Sequence, residues 1–224
     1  MKTIIQFMAA CYMILAASAA QADPQSAVFL VIENGGVVTD REAAKVTTDF
    51  VLGEIVKLRR RRATRDTQIH IVLTANPTEV TWSGSAQQLF EQGQTVMEMI
   101  EFKDTCSDLS LAWGQVKLTT RITMPDDYQL VAIGPMIHAG FPCDQGDTTI
   151  SLPQDVPNNL MLGELASAAS VVRLLNVHAD QDEVYLDYLR DVGLVERARN
   201  GEVDFDLMDA ARTRAAHGNI MGGQ

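Results

Sequence analysis

The residues able to do chemistry gather in a few short stretches. The first is residues 27–40, AVFLVIENGGVVTD, where an apolar run meets an acid, an amide and two glycines. Glu33 and Asn34 supply groups for polar contacts, and Gly35 and Gly36 let another backbone come close. The second is Cys106-Ser107-Asp108, a thiol, a hydroxyl and a carboxylate in succession. The third is His138 with Cys143 and Asp144, spaced so that an imidazole could activate a thiol, as in a thiol or hydrolytic enzyme. Ser83-Gly84-Ser85 lacks the glycine pattern of a nucleophile elbow and stands where a helix cap is expected. His70 falls inside a strand pattern and reads as structural; His178 with Asp180 and Asp182 reads as a strand exit and helix cap. The sequence holds no zinc spacing, phosphate loop or dinucleotide fingerprint.

Elements must carry these groups, and their order follows from hydrophobic periodicity. Residues 27–33 predict a buried parallel strand that delivers a polar loop to the C-terminal edge of a sheet. Residues 40–62 predict a helix capped by Thr39 or Asp40. Its terminal arginines, Arg59 to Arg62, complement the helix dipole and read as a solvated end rather than an anion site. A strand at 69–75, an edge strand at 79–82 and a helix at 85–102 follow; a helix at 109–122 is capped by Ser107 or Asp108. Then come a strand at 128–133 stopped by Gly134-Pro135, a loop at 136–157, a helix at 158–169 and a strand at 171–177. A helix at 181–192 closes at Gly193, and a strand at 202–206 and a helix at 207–216 finish the pattern. This alternation predicts a three-layer, doubly wound α/β domain over residues 23–216. Its sheet is mainly parallel with one short antiparallel edge strand, and residues 217–224 form a flexible end.

Composition narrows the partners. The chain has 224 residues, 46% of them hydrophobic and 21% charged, as in a folded globule. Its formal net charge of −11 argues against general affinity for nucleic acid or anionic lipid. Lys2, the apolar run over residues 4–19 and the small residues of Ala20-Gln21-Ala22 predict a secretory signal over residues 1–22. A retained anchor would need a longer span, and a lipoprotein would need Cys11 beyond the apolar run rather than inside it. The expected product is an exported protein, periplasmic or secreted, without a stable membrane anchor. Loss of Cys11 leaves Cys106 and Cys143, either a disulfide or two buried thiols.

The element order, the polar loop after the first strand, the break at CSDLSLAWGQ and the stretch VVRLLNVHADQDEVYLDYLRDVG together resemble the von Willebrand factor A domain. The resemblance covers roughly residues 27–216 and lies in pattern rather than in a diagnostic motif. It implies a metal-ion-dependent adhesion site at the C-terminal sheet edge, with a first loop of the form Asp-x-Ser-x-Ser, a Thr from a second loop and an Asp from a third. Here the first loop keeps a carboxylate at Glu33 but has no hydroxyl in Asn34, Gly35, Gly36 or Val37. Ser107, followed by Asp108, stands for the Thr, and the third position falls at Gly134 or Pro135. Glu33, Ser107 and Asp108 are the remaining oxygen donors for Mg²⁺, a set too small for tight binding. The resemblance also puts Cys106 and Cys143 at the same edge, where a disulfide would clamp loops that a cation normally clamps. The expected function is a non-enzymatic domain that binds another envelope or extracellular protein through Glu33, Asn34, Gly35, Gly36, Ser107 and Asp108, with no metal. The two rivals are cation-dependent binding and a thiol or hydrolytic enzyme around His138 and Cys143.

Overall fold

The computed structural model describes residues 25–137 and 160–217. The signal-like residues 1–22, the His138, Cys143 and Asp144 group, and residues 218–224 lie outside the described residues. The chain order is β1 (Ser26–Ile32), α1 (Arg41–Lys57), a 3-10 turn (Leu58–Arg60), β2 (Gln68–Leu73), β3 (Trp82–Ser85), α2 (Ala86–Met99) and α3 (Leu109–Thr123). It continues with β4 (Asp127–Ile133), α4 (Leu162–Ala166), β5 (Val171–Val177), a 3-10 turn (Ala179–Gln181), α5 (Asp182–Asp191), α6 (Leu194–Arg199), β6 (Asp204–Asp209) and α7 (Ala210–Ala215).

The strands form one sheet in the order β3-β2-β1-β4-β5-β6, parallel throughout except for the β2 and β3 pair. The fold is therefore α/β with a mainly parallel sheet. The chain winds outward from β1 to β3, then returns beside β1 as β4 and winds the other way. Loops leaving β1 and β4 consequently diverge at the C-terminal edge, the place where open α/β sheets form a crevice.

β1 is central because both faces of its apolar run are covered. Ala27, Phe29 and Val31 pack with Leu109, Trp113 and Val116 of α3 and with Tyr185 and Leu189 of α5. The alternate residues Val28, Leu30 and Ile32 pack with Val51 and Ile55 of α1 and Leu89 and Val96 of α2. A strand's period of two thus divides β1 between two cores, and each core holds a helix whose N-terminus meets the C-terminal edge, α3 in one and α1 in the other. His70 is buried beside this core, stacked on Phe29 at 5.0 Å and bonded through Nδ1 to Ser83 Oγ at 2.9 Å. Burial pushes its pKa down, as suits a structural histidine.

Several boundaries differ from the sequence pattern. The edge strand is Trp82–Ser85 rather than 79–82. Trp82 pairs with Ile71 and buries its ring, while Gly84 lies where a Cβ would come within 2.8 Å of that ring, so packing outweighs the alternation upstream. Ser85 then caps α2 through a capping box with Gln88. The helix expected at 181–192 is followed by a second, α6, because Gly193 at φ 80° breaks the backbone without ending the helical stretch. Within the described residues, the helix expected at 158–169 is only the short α4. The last strand and helix begin later than 202 and 207, after the turn at Gly201 (φ 72°), with Asp209 as the helix cap. Among the described residues, no helix is long and apolar enough to cross a membrane.

Candidate functional site

The polar loops meet at the C-terminal edge, and one half of that edge is tied together from within. Asn34 follows β1, and its side chain reaches two other loops: Nδ2 donates to Glu101 O at 2.8 Å, and Oδ1 accepts from Ala75 N–H at 2.9 Å. Its backbone completes the tie, N–H donating to Thr74 Oγ1 at 3.3 Å and C=O accepting from Lys103 N–H at 2.8 Å. Thr74 also hydrogen-bonds Ser107 side chain to side chain, and its carbonyl accepts from Asp108 N–H at 2.9 Å. Asp108 caps α3, Oδ1 accepting from Leu111 N–H at 2.8 Å. Gly35 is required by close approach: a Cβ there would lie 2.8 Å from both Thr105 O and Ser107 Cβ. Gly36 is less constrained and donates its N–H to Thr105 O at 2.8 Å.

Glu33 turns inward beside this tie. It is 1% exposed, and its Oε1 accepts from Met136 N–H at 2.5 Å. Burial raises its pKa to about 8, partly offset by the backbone hydrogen bonds from Met136 and Ile137, so it carries a proton at neutral pH. The side chain fits because residue 134 is glycine. A Cβ on Gly134, whose φ is 151°, would lie 2.4 Å from Glu33 Cβ. The position where the adhesion-site pattern calls for an aspartate thus has its Cβ space occupied by Glu33.

The structure therefore brings Glu33, Asn34, Gly35, Gly36, Ser107 and Asp108 to one edge but buries their side chains. Exposure is 1% for Glu33, Asn34 and Ser107 and 9% for Asp108, so these side chains face the interior; Glu33 Oε2 is buried without a hydrogen bond among the described residues. The three oxygen donors expected for a cation do not fit one. Glu33 is buried and bonded to the Met136 amide, Ser107 is bonded to Thr74, and Asp108 is bonded to the first turn of α3. Among the described residues, no group of three or more His, Cys, Asp or Glu side chains could hold a metal ion. Cys106 is disulfide-bonded, and Cys143 lies outside the described residues. Thr74, the hub of the tie, was not singled out in the sequence, where it reads only as the polar end of an apolar strand.

The other half of the edge is open. A cleft of about 310 Å³ lies where the ends of β4, β5 and β6 and the loop after β1 meet the N-termini of α1 and α7. Val38, Ala44, Gly134 and Val177 are its buried lining; Thr39, Asp40, His178, Ala179 and Ala211 are exposed around it. A second hollow of about 260 Å³ shares Asp40, Ala43, Asn176 and Ala210 with it and extends toward Arg214 and His217. Asn176 shapes the junction. It adopts φ 61°, a conformation asparagine tolerates, at the register shift between Leu175 and Val177. Thr213 Oγ1 accepts its N–H at 3.0 Å, and its Nδ2 donates to Thr47 Oγ1 at 3.1 Å, joining β5 to α7 and α1. His178 caps the following turn, as its sequence position suggests.

No family model matches the chain, and no curated protein matches it. Among solved structures, it is similar to the PilB minor pilin from Streptococcus sanguinis, with 11% identity and a TM-score of 0.48. The match covers 90% of this chain and 60% of that one.

Proposed function

We propose that this chain is an exported, von Willebrand factor A-like domain that binds another envelope or extracellular protein through the C-terminal edge of its sheet, without a metal and without catalysing a reaction. The observation that carries the reading is the pairing of a loop cluster fixed by buried hydrogen bonds with an open cleft beside it at the switch point between β1 and β4. A surface whose loops are already ordered loses little conformational entropy on association, which favours binding. Internal ties replace the work a cation does in the adhesion-site pattern, since each loop that would ligate the ion is instead bonded to a neighbouring loop or helix. A Cys106–Cys143 disulfide extends the brace. Closing a loop of about 38 residues contributes roughly 4 kcal/mol on the chain-entropy estimate.

The test places a photo-crosslinking amino acid at exposed Thr39 or Ala179 on the open half of the C-terminal edge, or at exposed Asp127 or Asn200 on the opposite side, in the full chain expressed in its native cells. The expected result is the same crosslinked species from the first group and none from the second. Equal capture from both groups, or none from either, overturns the reading.

A further inference from the structure

The cleft differs from the tied half in the chemistry it offers. Its floor and walls are small and apolar, with Val38, Ala43, Ala44, Pro135, Val177 and Ala210 leaving a narrow trough. Two carboxylates are among its lining, Asp40 at the start of α1 and Asp209 at the start of α7. Each uses one oxygen as a helix cap, Asp40 Oδ1 accepting from Ala43 N–H at 2.9 Å and Asp209 Oδ1 from Arg212 N–H at 2.7 Å, while Asp209 Oδ2 accepts from Arg212 Nε at 3.1 Å. The backbone bond from Arg212, followed by its side-chain bond and charge, holds the Asp209 carboxyl below the usual carboxylate range. Cations nearby are already paired: Arg212 bonds both Asp209 and Asp182, and Arg41 bonds Asp104. Glu42 adds a further acid in the adjoining hollow, against Arg214 and His217 at its far end.

We propose that the cleft receives a lysine or arginine side chain from an extended segment of the partner protein, its aliphatic stem along the apolar trough and its charged head between Asp40 and Asp209. The volume, at the low end of the roughly 300 to 1,000 Å³ typical of ligand pockets, suits one long side chain and its neighbours rather than a large cofactor. Long basic side chains combine an apolar stem with a polar tip, which matches a trough of alanines and valines bounded by carboxylates. The acidic net charge of the whole chain, −11, favours encounter with a basic segment. This inference rests on the protein-binding reading and names the chemistry of the partner.

The experiment follows backbone amide shifts of the isotopically labelled protein on titration with blocked Ala-Ala-X-Ala-Ala peptides, where X is Lys, Arg, norleucine or Glu. Lys and Arg peptides should move the amides of Val38, Ala43, Ala44, Val177, Ala179 and Ala210, and raising the salt to about 0.5 M should weaken them about tenfold. Norleucine, which keeps the stem and lacks the charge, should bind at least about tenfold more weakly, as expected when a charge-assisted contact is lost. The double variant Asp40→Asn/Asp209→Asn keeps the capping oxygens and removes both charges, and Ala211→Arg adds a cation at the rim; each should abolish the Lys response. Equal binding of norleucine or Glu, shifts confined to other surfaces, or an unchanged response in the Asn variant overturns the proposal. If edge crosslinks persist while the basic peptides fail, the protein-binding reading stands without this occupant. If the peptides bind and the crosslinks fail, the cleft is a basic-ligand site and the broader reading falls.

Discussion

On the side of the edge built from the loops after β1, β2 and α2, Glu33, Asn34, Ser107 and Asp108 direct polar atoms at backbone and at Thr74, with Glu33 Oε2 buried without a hydrogen bond among the described residues, and none exceeds 9% exposure. On the side built from the ends of β4, β5 and β6 and the start of α1, Asp40 and Asp209 also cap helices, yet they line an open cleft. The same residue types thus act as internal braces in one place and as a charged lining in the other. Burial decides the difference. A buried carboxyl must be neutral or bonded, whereas a carboxylate at a cleft keeps its charge and can attract a cation. Residue type alone therefore does not locate a binding surface; the neighbouring backbone that consumes its hydrogen bonds must be known.

The strongest way to break this contrast is Gly134→Ala. A Cβ 2.4 Å from Glu33 Cβ, at φ 151°, forces Glu33 or the β4 exit to move. The expected cost is about 4 kcal/mol or more, measured by chemical denaturation. A loss below about 1 kcal/mol, within the ordinary range for point changes, would show that the brace yields easily.

Glu33 itself gives a pH signature. Its folded pKa of about 8 is above the ordinary 4.5, so its stabilising effect is complete below pH 4.5 and is lost as pH rises through about 8. At pH 7 the loss is on the order of 3 kcal/mol. Glu33→Gln, which cannot ionise, should flatten this dependence and exceed the native protein in stability at pH 8. Parallel stability curves for the two proteins between pH 5 and 8 would contradict the buried, protonated carboxyl.

Smaller effects separate the two halves. Asn34→Ala leaves Ala75 N–H and Glu101 O without their partner and should cost roughly 2 to 3 kcal/mol, with faster hydrogen exchange at Ala75. Ala211→Arg, on the exposed rim of the cleft, should change stability by less than about 0.5 kcal/mol. Equal costs for the two would erase the distinction between brace and cleft.

Much of this architecture is legible in the sequence. The apolar run into Glu33-Asn34-Gly35-Gly36 marks a central strand and its loop, and Asp108 is readable as a helix cap. The inward turn of Glu33 is not, because it depends on the empty Cβ position of Gly134, a residue 101 positions away in the chain and adjacent only through the β1 and β4 pairing. Thr74 escapes notice for a similar reason, since its bonds to Asn34, Ser107 and Asp108 cross three loops. The cleft is hidden further. Its lining comes from alanines and valines that resemble ordinary core residues, and Asp209, an acid before Ala-Ala-Arg, falls inside the pattern expected to be helical.

The most direct test of the central claim compares the two halves in the partner's presence with and without a chelator. A photo-crosslinking residue at exposed Ala211, beside the cleft, should capture the envelope partner equally in EDTA and in millimolar Mg²⁺, and one at exposed Asn76, beyond the tied loops, should capture little. Capture at Ala211 that requires Mg²⁺, or stronger capture at Asn76, would contradict a metal-free edge whose open half does the binding.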